Sequence, residues 1–236
     1  MIGGFPLPVQ AGFFNQAADI VRLRSGYEVE SDTVAMDRFS ACKAQEGLSA
    51  KVLARRPDIV VLQFGSSDAM APLRRGIGIR WLAAKRKINK PAQVSTQPAG
   101  WKHILKWRLW GLASDLLQVR PHSTLNDFLA AYDNMVTQCL ANNSSVVVLS
   151  PLVMGSARSN RFSRRFSKAL AAQLKGRRDC HFLDAHALLS QESLRSVLLY
   201  DGFHLSAHGH KLLGEALGEV LLNIGSQISS SKAISC

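Results

Sequence analysis

The stretch PDIVVLQFGSSDA, Pro57 to Ala69, holds the reading on which the fold turns. Ile59 to Phe64 is an apolar, β-branched run broken only by Gln63 and bounded by Pro57 and Gly65. A run of that length and composition predicts a central strand covered on both faces, as in a parallel sheet. A second run of the same kind, SSVVVLSP (Ser144 to Pro151), and a third, CHFLDA (Cys180 to Ala185), predict two more strands.

Between them the spacing turns helical. Gln16 to Arg24 reads as the body of a first helix ending near Gly26, and Met36 to Arg55 as a second, stopping before Pro57. Thr124 is placed to cap a helix through about Leu140, and Asn160 to Lys175 forms a basic helix. Ser206 to about Ile224 closes the pattern as an amphipathic helix with Ser206 at its N-cap, and the tail after it is expected to fray. Tyr27 to Val34 is a further candidate strand. Strands alternating with helices predict an α/β protein with a mostly parallel central sheet between two helical layers. The 236 residues are enough for one such domain, read as spanning 1–236.

Charge is unevenly spread. The formal net charge is +12, and from Ala69 to Ser114 there is no acidic residue. That span holds ten basic ones (Arg74, Arg75, Arg80, Lys85, Arg86, Lys87, Lys90, Lys102, Lys106, Arg108) and all four tryptophans (Trp81, Trp101, Trp107, Trp110). It reads as a basic, Trp-rich insertion at about 69–120 with at least one helix covering or flanking the cleft. Three partners suit residues 74–110: an anionic membrane surface, an acidic polysaccharide, or, with less support, nucleic acid. A lid packed by its tryptophans over the cleft, with a solvated basic face, is the structural alternative. No apolar window reaches the length of a membrane span, and the first residues carry no secretory signal pattern. With Cys42, Cys139, Cys180 and Cys236 scattered and outside metal-type spacing, the expectation is a cytoplasmic protein with reduced, mostly buried thiols, peripheral to a membrane if the basic segment docks there.

In a parallel sheet, ligands bind beyond the carboxyl ends of the strands. Two polar loops answer that rule, Gly65-Ser66-Ser67-Asp68 and Asp201-Gly202-Phe203-His204. The second opens DGFHLSAHGHKLLGEAL. Aspartate three residues ahead of histidine on one short loop lets the carboxylate fix the imidazole tautomer, while the ring acts as a base. A metal cluster is the rival reading of the three histidines. His208 and His210 lie two apart at a helix start and face different ways, so they do not converge on an ion with His204. No cofactor is called for.

DGFHLSAHGHKLLGEAL resembles the last sequence block of the SGNH/GDSL hydrolases, and PDIVVLQFGSSDA resembles the family's P-D-x-V-x-x-x-x-G-x-N-D block. The resemblance implies a flavodoxin-like three-layer sandwich and hydrolysis or transfer of an acyl group on a lipid or carbohydrate ester. It implies Asp201 and His204 as the catalytic pair, and a cleft bordered by Gly4, Phe5, Gly65 and Asp68. Three features depart from the pattern, one being that the family's glycine-containing second block is not visible in SDTVAMDRFSA (Ser31 to Ala41). The family's nucleophilic serine block corresponds to Gly3-Gly4-Phe5, and Ser67 stands where an asparagine would donate to the oxyanion. Ser66, Ser67 or a water therefore take the nucleophile or oxyanion role. The alternative is an inactive binding protein that uses the same cleft and the basic segment to hold a polyanion or a membrane surface.

Overall fold

The computed structural model describes residues 7–34, 40–70 and 99–234. Gly4, Phe5, Trp81 and the seven basic residues from Arg74 to Lys90 lie outside the described residues.

The three strands form where the apolar runs are: β1 (Ile59–Gln63), β2 (Ser145–Leu149) and β3 (Cys180–Leu183). Among the described residues they make one parallel sheet in the order β1-β2-β3, with Val60 opposite Val146 and Val148 opposite Phe182. Successive side chains of β2 point to opposite faces, and both faces are buried. Val146 and Val148 enter a core with α2 (Ala41–Lys51), α5 (Leu125–Ala141) and α6 (Ala157–Leu174). Val147 and Leu149 enter another with α1 (Phe13–Ser25), α7 (Ala185–Ser190), α8 (Leu194–Val197) and α9 (Ala207–Ile234). Because both faces are covered, these strands read as unbroken apolar runs without alternation. The architecture is an α/β three-layer sandwich.

Local chemistry sets most boundaries. Thr124 caps α5 by accepting from the Asp127 N–H, and Gly26, at φ 70°, ends α1. The Ser206 hydroxyl accepts from the Gly209 N–H at 3.1 Å, capping α9. β1 stops at Gln63, one residue before the expected end. The Tyr132 hydroxyl takes both main-chain groups of Phe64, accepting from its N–H at 2.9 Å and donating to its C=O. Phe64 therefore pairs with a side chain and not with a neighbouring strand.

Four expectations are corrected. Tyr27–Val34 carries no strand pairing among the described residues, and the Val29 carbonyl accepts from the Arg22 guanidinium of α1. The second helix begins at Ala41, capped by Ser40, and gives way to a 3-10 turn at Leu53–Arg55. The C-terminal helix continues to Ile234 through the tail that was expected to fray. Of the three described cysteines only Cys139 is buried, where burial pushes its thiol up to about 11. Among the described residues no helix is long and apolar enough to cross a membrane.

Candidate active site

The site grows from the carboxyl ends of β1 and β2. After β1 the chain turns at Gly65 with φ 102°, which only glycine adopts without strain. A Cβ there would also stand 2.6 Å from Pro151 and 2.8 Å from the Phe128 ring. The turn leads into the short helix α3 (Ser66–Ala69). Ser66 is buried, and its hydroxyl accepts from the Leu152 N–H at 3.1 Å, fastening the loop after β1 to the loop after β2. The loop after β2 in turn reaches the aspartate–histidine segment, because the Gly155 N–H donates to the Gly202 carbonyl at 2.9 Å. Both polar loops thus sit at the same end of the sheet.

Asp201 and His204 meet directly. His204 Nδ1 lies 2.5 Å from Asp201 Oδ2, while Asp201 Oδ1 accepts from the main-chain N–H groups of Phe203 (2.9 Å) and His204 (3.0 Å). Burial pushes the Asp201 carboxyl up, but the hydrogen bonds from the His204 ring and those two amides outweigh it and hold the group below the usual carboxylate range. Asp201 is therefore ionised at neutral pH and keeps a proton on Nδ1, which leaves Nε2 as the basic nitrogen. The side chains are about one-fifth exposed, 23% for Asp201 and 19% for His204, so the pair is sheltered yet reachable.

The other two histidines diverge. His208 is exposed, with Glu192 3.9 Å away. His210 is fully buried, stacks on Phe13, and accepts the Phe13 N–H on Nδ1 at 3.1 Å. Burial drives its pKa down to about 4.

Ser67 is half-buried on α3. Asp68 is fully buried. Its carboxylate accepts from the Ala41 N–H and from the Ser123 hydroxyl at 2.6 Å, tying α3 to the start of α2 and the turn before α5. Burial raises its pKa against those hydrogen bonds.

Sequence reasoning expects the tryptophan-rich segment to cover or flank the cleft but does not say which tryptophan reaches this site. Helix α4 (Trp101–Leu116) buries Trp107, whose indole lies between Gly155 and Gly202. A Cβ on Gly155 would come within 2.5 Å of that ring, and one on Gly202 within 2.6 Å. One turn away, the His103 ring meets Tyr200 edge-on at 5.6 Å. The four tryptophans were conspicuous, but no local signal tells which of them points inward.

Comparison with known proteins identifies the family and supports the fold. Residues 12–212 match the model of the GDSL-like lipase/acylhydrolase family. Among solved structures the chain is similar to a lipolytic protein of the G-D-S-L family from Desulfitobacterium hafniense, at 17% identity and a TM-score of 0.57, covering 93% of each chain. It is also similar to Axe2, an acetylxylan esterase from Geobacillus stearothermophilus, at 13% identity and a TM-score of 0.59, covering 91% of this chain and 81% of that one. A lipase from a goat rumen metagenome gives 13% identity and a TM-score of 0.58, covering 87% and 85%. Structures of Axe2 altered at a serine, at an aspartate, and at a histidine three positions after that aspartate are each described as catalytic mutants. No curated protein matches the sequence.

Proposed function

Because the chain belongs to the GDSL-like lipase/acylhydrolase family, we propose that it hydrolyses an ester, or transfers its acyl group, on a lipid or carbohydrate, with Asp201 and His204 as the working pair. The observation that carries this is the 2.5 Å contact between His204 Nδ1 and Asp201 Oδ2 beside the strand ends. The aspartate–histidine spacing of three in the Geobacillus esterase supports the same assignment.

In this reading His204 Nε2 takes a proton from a water that attacks the ester carbonyl carbon. The tetrahedral oxyanion then collapses, the bond to the alcohol oxygen breaks, and His204 returns its proton to the departing alcohol. Asp201 holds the ring and offsets its transient charge. Ser66 is engaged with Leu152 and supports the loop. Ser67 is the oxyanion donor, and Gly65 sets the turn that presents it. Loss of such a donor costs about 10²–10³ in rate.

The test is hydrolysis of p-nitrophenyl acetate and butyrate by the parent, His204→Ala and Ser67→Ala proteins, with a fluorophosphonate probe alongside. Activity that vanishes in His204→Ala, falls in Ser67→Ala and leaves no serine adduct supports the water route. A phosphonylated Ser67 would make it the nucleophile instead. The second reading, an inactive binding protein, draws on Phe5 standing at the place of the family serine. An inactive parent that gains activity on Phe5→Ser would favour it.

A further inference from the structure

Helix α4 carries apolar side chains on two opposite faces. The inner face holds Trp107, Gly111 and Ser114, all buried. The outer face holds Trp101, Leu105, Leu109, Leu112 and Leu116, which at 3.6 residues per turn share an arc of about 80°. These five are 67%, 49%, 56%, 61% and 84% exposed. With Trp110 and Leu117, this one helix and its C-cap supply seven of the ten exposed large apolar side chains among the described residues. A helix that is apolar on its solvent side as well as its core side has an unmet surface to cover.

The chemistry around the stripe identifies what covers it. Lys102 and Lys106 border one side of the arc and Arg108 the other. Lys102 lies 5.8 Å from the Trp101 ring on the stripe and Lys106 5.3 Å from the Trp110 ring on its flank, so each cation sits beside an indole. We infer that the outer face of α4 docks on an anionic lipid bilayer, with leucines entering the acyl boundary, indoles at headgroup depth and the cations on lipid phosphates. A second copy of the chain fits poorly, because a two-fold contact through this face sets the same cations against each other. Single-stranded nucleic acid fits poorly too, since leucines offer no ring on which bases stack.

The docked helix would hold the aspartate–histidine loop at the membrane surface, because Trp107 on its inner face is seated against Gly202. That last step, delivery of a lipid ester, rests on the hydrolase reading. Docking itself does not, and it is read without turnover.

The experiment is flotation of the full chain with vesicles of phosphatidylcholine alone and of phosphatidylcholine mixed with phosphatidylglycerol, in parallel with tryptophan emission. The parent should float with the anionic vesicles, shift its emission to the blue, and bind neutral vesicles about tenfold or more weakly. The triple substitution Leu105→Glu, Leu109→Glu and Leu112→Glu, with its circular dichroism unchanged, should weaken binding by about 100-fold or more. The milder pair Lys102→Gln and Lys106→Gln should weaken binding to anionic vesicles only. A parent that stays unbound, or equal flotation of parent and both variants, overturns the inference. So does a parent dimer that the leucine substitutions convert to monomer, or an affinity for single-stranded DNA that they abolish while vesicle binding stays unchanged.

Discussion

The indole of Trp107 occupies the space that any side chain at residue 202 would need: a Cβ on Gly202 would lie 2.6 Å from Trp107 Cε2 and 2.7 Å from its Nε1. The two residues are 95 apart in sequence, yet this contact braces the main chain between Asp201 and His204. Gly202 also holds φ at 70°, so the loop depends on glycine twice, for conformation and for clearance.

Substituting either partner should loosen the loop. Gly202→Ala combines a left-handed backbone with a clash and is expected to cost about 2 kcal/mol or more. Trp107→Ala should cost about 3–5 kcal/mol through the cavity it leaves. Both should lower ester hydrolysis by about 10²-fold in the protein that remains folded, since a displacement near 1 Å is enough for that. Urea denaturation with kcat/KM measured on the same preparations checks it. Full activity in a folded Trp107→Ala protein would refute the bracing role.

Asp201→Asn tests the electrostatic half of the pair. The amide is close to the carboxylate in size but cannot stabilise the imidazolium, so activity should fall by about 10³–10⁴-fold. The carboxylate's depressed pKa also stabilises the fold. That contribution is complete above the unfolded pKa, near 4, and is lost as pH falls through the lower folded value. Parent and variant should therefore differ in unfolding free energy at pH 7 and converge at strongly acid pH.

His210 predicts acid sensitivity in a different window. Its folded pKa of about 4 lies below the unfolded value near 6.5, so the unfolded chain binds a proton that the folded one refuses. Stability should fall as pH drops from about 6.5 to about 4, with a loss of about 2 kcal/mol between pH 7 and pH 5 from this group. His210→Gln retains an acceptor for the Phe13 N–H and should flatten that slope. An identical pH profile for parent and variant in chemical denaturation would rule the histidine out.

Ser66 and Ser67 should separate cleanly. Ser66→Ala leaves the buried Leu152 N–H without its acceptor and should cost about 1–3 kcal/mol, with kcat changed little in the folded fraction. Ser67→Ala should do the reverse, leaving the unfolding midpoint within error and lowering kcat. A thermal melt beside a p-nitrophenyl acetate assay distinguishes them.

Much of the frame and the centre of the candidate site could be read from local pattern. The runs at 59–64 and 144–151 name their strands because a parallel strand buried on both faces needs apolar residues without alternation. Thr124 and Ser206 mark helix starts because capping acts within three residues. Asp201 and His204 are equally local, since one turn brings the carboxylate to Nδ1 and their contact needs little from the rest of the chain. Tertiary structure alone decided what lies far apart in sequence. Tyr27–Val34 has a strand's composition, but a strand exists only with a ladder partner, and among the described residues this segment has none. Ser66 and Asp68 belong to a polar loop by sequence, and only packing against Leu152, Ala41 and Ser123 buries them. The four tryptophans are alike in sequence. Helix α4 buries Trp107 and leaves Trp101 and Trp110 exposed, because Gly155 and Gly202, distant in the chain, leave room at Trp107 for an indole.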